Sequence, residues 1–405
     1  MKQTVKPRRI LGVSRNVFFL GLTSFFQDIS GEMIFTIMPL FLANVLGVKT
    51  SIIGLIEGIS ESTSSLLKFA GGWLSDRIGR HKALTAFGYA LSTVAKPFLY
   101  FAATWGAVLA VRFTDRVGKG IRTSPRDALL ADSTQDGGMG RSFGFHRALD
   151  TLGAVLGLAG AALIIFLLQR GNLDLTRPTY QALILVGVIP GVIGVLIVLL
   201  FVKEARGARK SQAQSGEAPV RRRVLTRNFK MFLGVVVLFT LGNSSDAFLV
   251  LRAQDLGLPV FNILLLLVLF NIVFSSLSTP AGALSDKIGR RKVIGIGWCL
   301  YAALYLGFAL ATSAWQLVPL FALYGVYHAA TQGVLGALVA DISPEGKRGT
   351  HYGFYNGLVG ITLLPASLIA GFLWQSVNPS APFFFGAATA LLAVIGLVLL
   401  PKQTA

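Results

Sequence analysis

The sequence predicts an all-α membrane protein with twelve transmembrane helices arranged as two pseudo-symmetric six-helix bundles. The composition is the first reason: of the 405 residues, 53% are apolar and 14% are charged, and the mean hydropathy is +0.66. The second reason is that apolar runs of about 20 residues, the length that crosses a bilayer, recur along the chain. The third is that Lys and Arg gather in loops on one side of these runs, the bias that orients membrane proteins. The net charge of +19 therefore indicates topology rather than a nucleic-acid partner.

The predicted spans are separated by loops whose charge fixes their orientation. The first run, from about Val17 to Val45, is too long for a signal-peptide core and lacks a small-residue cleavage site, so it is interpreted as a retained span. An even number of spans places both termini on the Lys- and Arg-rich side, which is the cytoplasmic side. We expect a monomeric, multi-pass protein of the cell inner membrane, in contact with the lipid bilayer. The predicted spans are 17–44, 51–74, 83–104, 106–130, 142–168, 180–202, 230–252, 259–283, 293–312, 315–341, 350–375 and 382–400.

The two halves of the chain repeat each other. The stretch GGWLSDRIGRHKAL at 71–84 recurs as AGALSDKIGRRKVI at 281–294, and ALLAD at 128–132 recurs as ALVAD at 337–341. Two matches at nearly the same offset indicate a duplicated half. A polar, basic segment separates the copies and has almost no apolar periodicity, which is typical of a linker. The predicted domains are an amino-terminal bundle at 1–203, a cytoplasmic linker at 204–229 and a carboxy-terminal bundle at 230–405.

The repeated motif resembles a known family. Both copies are similar to the loop 2–3 motif of the major facilitator superfamily, although His81 stands where that family usually has Arg or Lys. The resemblance covers the whole chain and implies a bacterial, exporter-like secondary transporter with the twelve-helix fold of that family. It also implies that the motif residues form a cytoplasmic gate, whereas a simpler interpretation makes the Lys and Arg topology anchors only. The gate candidates are Gly72, Asp76, Arg77, Gly79 and Arg80 in the first copy, and Gly282, Asp286, Lys287, Gly289 and Arg290 in the second.

Ionisable residues inside the predicted spans are concentrated in the first half. Most positions 209 or 210 residues later are apolar or uncharged: Arg112 corresponds to Phe321, and Glu57 corresponds to Leu267. An ionised side chain at the bilayer centre costs at least ~2.5–3.5 kcal/mol, so these groups need partners or water. We therefore expect them to line a cavity. The candidates for that cavity are Lys68, Lys96, Arg112, Asp115, Arg116, Lys119 and Arg147, joined from the second half by Asn243, Asp246, Arg252 and His328.

Carboxylates at helical spacing point to proton coupling. Asp28 and Glu32 are four residues apart in the first predicted span, and Glu57 and Glu61 repeat that spacing in the second. Two carboxylates one turn apart in a low dielectric resist double ionisation, so one of each pair is expected to bind and release a proton. We expect His146 to titrate in the same range, and Asp150 lies four residues beyond it. The alternative is a static network of buried ion pairs that holds the first bundle together.

Together with the resemblance, these residues predict a proton-coupled transporter that moves a small molecule by alternating access. Efflux by proton antiport is favoured, with the proton gradient in place of a cofactor. The segment Gly153-Ala154-x-x-Gly157 is similar to an exporter motif of the family, but Ala154 stands where Pro is usual, and the small residues also suit close helix packing. We find no nucleotide-binding motif, metal-ligand cluster or nucleophile–base pair that would indicate an enzyme or a metal centre. An importer of small organic anions, a divalent-metal exporter and a non-transporting membrane receptor stay open as alternatives.

Overall fold

The structure, a computed structural model, describes residues 9–78, 80–134, 139–169, 172–204, 227–343 and 348–400. Nearly all of these residues are helical. The α-helices are α1 (Arg15–Phe35), α2 (Met38–Leu40), α3 (Thr50–Ile78), α4 (His81–Ala95), α5 (Trp105–Asp132), α6 (Met139–Gln169), α7 (Arg177–Leu200), α8 (Arg227–Gly242), α9 (Ala247–Asp255), α10 (Val260–Ile288), α11 (Arg290–Leu310), α12 (Leu317–Ile342), α13 (Arg348–Ser376) and α14 (Ala381–Leu399). A π-helix spans Phe41–Val45, and 3₁₀ helices span Lys96–Phe101 and Ala314–Gln316. Strands β1 (Arg9–Ile10) and β2 (Val13–Ser14) pair antiparallel ahead of α1.

Several helices have the length and composition of membrane spans, which confirms the predicted class of all-α membrane protein. Within the described ranges, eight segments qualify: Arg15–Val45, Arg141–Gln169, Arg177–Leu200, Arg227–Asp255, Val260–Ile288, Arg290–Leu310, His351–Ser376 and Ala381–Leu399. Helix α5 is long enough to cross but is outside this set because charged side chains recur along it. The total of twelve spans stays a prediction.

Two spans predicted as continuous helices are interrupted at corresponding places. Helix α1 ends at Phe35 and α2 begins at Met38, while α8 ends at Gly242 and α9 begins at Ala247. Pro39, which has no backbone N–H, lies at the start of α2. In the second interruption the backbone N–H of Ala247 is bound by the Ser245 hydroxyl at 3.3 Å, so short polar side chains replace helical hydrogen bonds.

The backbone preserves the sequence repeat at these interruptions. Position 36 lies in the first, and position 246, which is 210 residues later, lies in the second. Downstream, Gly47 and Gly257 are again 210 residues apart and both take left-handed backbone angles, with φ of 62° and 83°. Only glycine adopts such angles without strain, which explains why the turn residue is the same in both copies.

The chain forms two compact units. The first consists of Met1–Phe35, Leu67–Ala161 and Tyr180–Val220, and the second of Thr36–Leu66, Ala162–Thr179 and Arg221–Ala405. In the first unit α4 packs closely along α5 because a Cβ at Gly118 would lie only 2.6 Å from the carbonyl oxygen of Gly88. The second unit is rich in packed aromatic rings, and Phe239 stacks on Trp298 with ring centroids 4.4 Å apart. The predicted domain boundaries at 203, 204–229 and 230 stay a prediction.

Candidate functional site

Helices α1 and α6 approach each other closely in the first unit because α6 carries glycine at the contact. A Cβ at Gly153 would clash with the carbonyl oxygen of Phe25, and one at Gly157 would lie 2.7 Å from that of Ile29. The residues 25 and 29 on α1, and 153 and 157 on α6, are each four apart, so the helices run in register over at least one turn. Small residues of this kind let helix backbones meet in a membrane.

The same register brings four polar side chains together, and we call them the polar ladder: Ser24 and Asp28 on α1, His146 and Asp150 on α6. The Ser24 hydroxyl lies 2.9 Å from Nε2 of His146. One turn further on, the carboxyl groups of Asp28 and Asp150 lie within hydrogen-bonding reach of each other. A hydrogen bond between two carboxyl groups needs a proton on one of them, because an ionised carboxylate only accepts. The two helices thus hold a pair of facing carboxyl groups.

Cations from α5 and α6 surround the polar ladder. Arg147 Nη1 lies 3.6 Å from Oδ2 of Asp150, and Lys119 is an electrostatic neighbour of Asp28. Arg126 donates from Nη1 to the Ser24 hydroxyl at 3.4 Å and pairs with Asp127 at 2.9 Å. The Ser24 hydroxyl also lies 3.0 Å from the hydroxyl of Tyr89 on α4. Four helices thus contribute to one polar centre, and its positive charges favour the ionised form of the carboxyl groups.

A second group of ionisable residues, the buried charge cluster, lies between α4 and α5 and consists of Lys96, Arg112, Asp115, Arg116 and Arg122. Lys96 and Arg112 are only 2% and 4% exposed. The Arg116 Nε lies 3.9 Å from Oδ2 of Asp115, and Lys96, Arg112 and Arg122 are further electrostatic neighbours of the same carboxylate. Asp115 is therefore the acidic centre of the cluster.

Hydroxyl groups and aromatic rings complete the contacts of this cluster. Lys96 donates to the Ser30 hydroxyl at 2.7 Å, and Arg112 lies over the ring of Phe35 at 4.6 Å. Such an arrangement of a cation over an aromatic face is attractive, and more so away from water. In the same way Arg122 donates to the Ser92 hydroxyl at 2.7 Å and lies 4.5 Å from the ring centre of Tyr89.

The remaining acidic candidates of the first half occupy other positions. Glu32 is half-buried on α1, and its Cβ is 3.1 Å from where a Cβ at Gly157 would lie. Glu57 and Glu61 lie on the part of α3 that belongs to the second unit. Glu57 is buried there and accepts a hydrogen bond from Ser245 at 3.3 Å. Lys68 is half-buried further along α3, where its backbone carbonyl accepts a hydrogen bond from Ser124 at 2.7 Å.

In the second unit, Asp246 lies beside an aromatic group. Tyr324 donates to Oδ1 of Asp246 at 2.7 Å, and Asn243 lies in the same helix interruption. His328 is enclosed by the rings of Phe270, Phe274, Tyr324 and Tyr327, at centroid distances between 4.7 and 5.9 Å. These neighbours make the His328 environment aromatic.

Arg252 lies on α9, and its side chain is buried against the carboxy-terminal end of α11. Its guanidinium donates to the backbone carbonyls of Phe308 and Ala311 at 3.1 and 2.9 Å and pairs with Asp255. These carbonyls have no helical N–H partner, so Arg252 caps the helix.

The gate-motif residues are placed differently in the two copies. In the first, Gly72 packs near Ser124 while Arg77 and Arg80 are exposed; Gly79 and the side chain of Asp76 are outside the described residues. His81, at the departure from the family motif, contacts the Ser75 hydroxyl and lies 4.0 Å from Asp132.

In the second copy, Arg290 joins two carboxylates. It pairs with Asp341 at 3.0 Å and with Asp286 at 3.4 Å. Lys287 is exposed, and Gly289 has a φ of 98°, which explains the glycine at that turn.

Sequence reasoning missed the hydroxyl and aromatic partners of the charged groups. Ser24 is the clearest case, since it contacts three polar side chains of the polar ladder and its surroundings. One signal was present: Ser24 lies four residues before Asp28, as His146 lies four before Asp150. A search for polar residues at matched helical spacing in two helices would have found it.

Comparisons with known proteins agree on one family. The family model described as Major Facilitator Superfamily matches residues 20–274 and 231–405. The MFS-type transporter MJ1317 of Methanocaldococcus jannaschii is 38% identical over 396 residues, 96% of this chain and 95% of that protein. The quinolone resistance protein NorA of Staphylococcus aureus is 26% identical over 179 residues, 44% of each chain.

Solved structures show the same fold. A mutant of the nucleoside transporter NupG superposes with a TM-score of 0.79 at 13% identity, covering 95% of this chain and 100% of that one. A POT family transporter in complex with a thioalcohol-conjugated peptide also gives 0.79 at 12% identity, with 97% of each chain covered.

Proposed function

Because the chain belongs to the major facilitator superfamily of transporters, as its repeated motif predicted, we propose that it exports a small molecule in exchange for protons. Family membership makes it a multi-pass membrane transporter and not an enzyme. In this proposal transport is directed outward, the coupling ion is the proton, and Asp28 and Asp150 form the proton site. The transporter works by alternating access around a site within the membrane.

The proposal rests on the placement of Asp28 beside Asp150, which the close backbone contacts of Gly153 with Phe25 and of Gly157 with Ile29 bring into register. Two carboxyl groups this close share a proton, because both cannot be ionised in a low dielectric. Nearby Lys119 and Arg147 stabilise the negative charge that remains once the proton leaves. A group that can hold either state inside a membrane is what a proton-coupled carrier needs, whereas a permanent structural pair is better served by opposite charges.

Efflux is supported by the likeness to NorA, whose name describes drug resistance. The likeness covers 44% of each chain, so it supports a direction rather than a substrate. For this reason a quinolone, a lipophilic cation, a small organic anion and a divalent metal ion form the panel of test compounds.

The test uses purified protein in proteoliposomes with each compound of the panel. Counterflow, which needs no pH gradient, identifies a transported compound. An imposed pH gradient then measures the coupling of its transport to protons. We expect the gradient to drive uptake into vesicles that are acidic inside, which corresponds to efflux in the cell. The substitution Asp28→Asn should abolish the response to the gradient because the amide cannot release a proton.

Asp174→Asn serves as the matched control, since Asp174 is an exposed loop carboxylate outside the polar ladder. The control should retain the full response. Gradient-driven transport that persists in both Asp28→Asn and Asp150→Asn would contradict the proposal. Compounds that bind without any flux would favour a receptor instead.

A second candidate, import of a small organic anion, is favoured by the buried charge cluster. Lys96 and Arg112 lie together beside Phe35, away from water, where a carboxylate or phosphate of a substrate would be strongly stabilised. In this case Arg112→Gln should abolish binding of the organic anion of the panel, whereas Asp28→Asn should leave binding in place.

The proposed cellular setting follows from the charge distribution. We place the transporter in the cell inner membrane as a monomer. Both termini and the 204–229 segment are placed in the cytoplasm, because Lys and Arg concentrate in the loops on that side. Labelling of cysteines introduced at Lys2 and Gln403 from either side of right-side-out vesicles tests the orientation. Reaction from the outside would contradict it.

A further inference from the structure

We propose that protons enter and leave the Asp28–Asp150 pair through His146 and Ser24, so that the polar ladder is a proton relay along the α1–α6 contact. This inference rests on the proposed function, since it assigns the route to the proton site named there. Ser24 and His146 are positioning and relay residues, and the carboxyl pair stays the coupling site.

The geometry follows from the register of the two helices. The hydrogen-bonded pair Ser24–His146 and the pair Asp28–Asp150 lie at the same four-residue spacing on both helices. One helical turn advances about 5.4 Å, a gap that one water molecule or a small side-chain movement bridges. The contacts of Gly153 with Phe25 and of Gly157 with Ile29 hold the helices in this register.

The proton moves from the carboxyl pair to water in four transfers. The carboxyl O–H bond of the pair breaks, its electron pair stays on the oxygen, and an N–H bond forms on Nδ1 of His146, because Nε2 is engaged by Ser24. The imidazolium then gives its Nε2 proton to the Ser24 hydroxyl. Ser24 passes its own proton to the hydroxyl of Tyr89, 3.0 Å away. Tyr89 is only 1% exposed, so it gives a proton to water only when the transport cycle opens this side of the bundle. Each hydroxyl gains and loses one proton, and no electrons are transferred.

The groups that face His146 come from every helix around it. Helix α1 contributes Ser24, α5 contributes Arg126 and Asp127, and α6 itself contributes Arg147 and Asp150, while Tyr89 of α4 reaches the group through Ser24. Arg126 and Arg147 oppose a positive charge on the ring, while the carboxylates favour one. With both influences present, the imidazolium suits a group that passes a proton on rather than one that keeps it.

Infrared spectroscopy after a pH jump tests the relay without any substrate. A protonated carboxyl group gives a C=O band that disappears on deprotonation, and the band of the pair is assigned by its loss in Asp28→Asn. We expect His146→Gln to slow deprotonation by about a hundredfold or more, the usual contribution of general acid–base catalysis, while the band itself persists. Ser24→Ala should slow it as well, and Ser24→Thr, which keeps the hydroxyl, should restore the rate.

His351→Gln is the matched control, since His351 is also a buried histidine bound to a serine, with Nδ1 3.1 Å from the hydroxyl of Ser343. The control should leave the rate unchanged. A wild-type rate in His146→Gln would overturn the relay. If His146→Gln does not fold, Ser24→Ala decides, because it keeps the buried ring, and a wild-type rate there overturns the relay too. A missing Asp28-dependent band would instead refute the proton site of the proposed function.

Discussion

The two halves of this chain share a backbone repeat but fill equivalent positions with different chemistry. On α5, Asp115 is surrounded by cations; 209 residues later, on α12, Tyr324 lies among aromatic rings and binds Asp246. Lys119 on α5, a neighbour of Asp28, corresponds to His328, which aromatic rings enclose. Duplication has kept the glycine turns and helix interruptions, while the side chains diverged into an ionic half and an aromatic half. This divergence agrees with the proposal that the ionic half carries the proton chemistry, while the aromatic rings pack the other half.

The largest expected effect comes from removing the acidic centre of the buried charge cluster. Asp115→Asn should lower the free energy of unfolding by about 3–5 kcal/mol, because it leaves buried cations without the carboxylate they surround. Denaturation of the detergent-solubilised protein with sodium dodecyl sulfate measures this change. If Asp115→Asn lowers the free energy of unfolding by less than Tyr324→Phe, the change at the corresponding position 209 residues later, charge is no more important to one half than to the other.

An intermediate effect is expected at the α1–α6 contact. Gly153→Ala should destabilise the protein by about 1–3 kcal/mol, the usual cost of overpacking, because the new Cβ meets backbone at Phe25. Gly357→Ala on α13 is the matched control, since no atom lies within 4 Å of the added Cβ and alanine favours helix. The same denaturation assay compares them, and equal stability of the two variants would refute the close contact.

A smaller loss of stability is expected in the aromatic half, where Tyr324 binds Asp246. Tyr324→Phe removes the hydroxyl that binds Asp246 and keeps the ring, so it should cost about 1 kcal/mol, the value of one hydrogen bond. Thermal unfolding followed by tryptophan fluorescence measures the shift. A loss as large as that of Asp115→Asn would mean that Asp246 belongs to a network as costly to break as the ionic one.

Much of the fold could be predicted from the sequence, because hydropathy and repeated motifs are local signals. The class, the family and the duplication followed from apolar runs and from the two copies of the loop motif. The interruptions at 36–37 and 243–246 did not, since the residues there occur in continuous helices as well, and tertiary contacts decide between the two. Gly47 and Gly257 lie 210 residues apart in the sequence, but only the structure shows that both take left-handed backbone angles.

Only part of the surroundings of Asp28 could be predicted from the sequence. The spacing placed Asp28 with Glu32, four residues away on one helix; the structure keeps Glu32 as an electrostatic neighbour and adds Asp150 across the α1–α6 contact. Spacing along one helix reveals partners on that helix only. The partner on another helix depends on the register set by Gly153 and Gly157, which no pattern within α1 contains.

Proton release on substrate binding reports directly on the protonation of the Asp28–Asp150 pair. The purified protein, in weakly buffered detergent with a pH indicator, is mixed with whichever compound of the panel gives counterflow. We expect release of about one proton per transporter, the one shared by Asp28 and Asp150, and none from Asp28→Asn or Asp150→Asn that still binds the compound. Full release from both variants would contradict the proposed proton site.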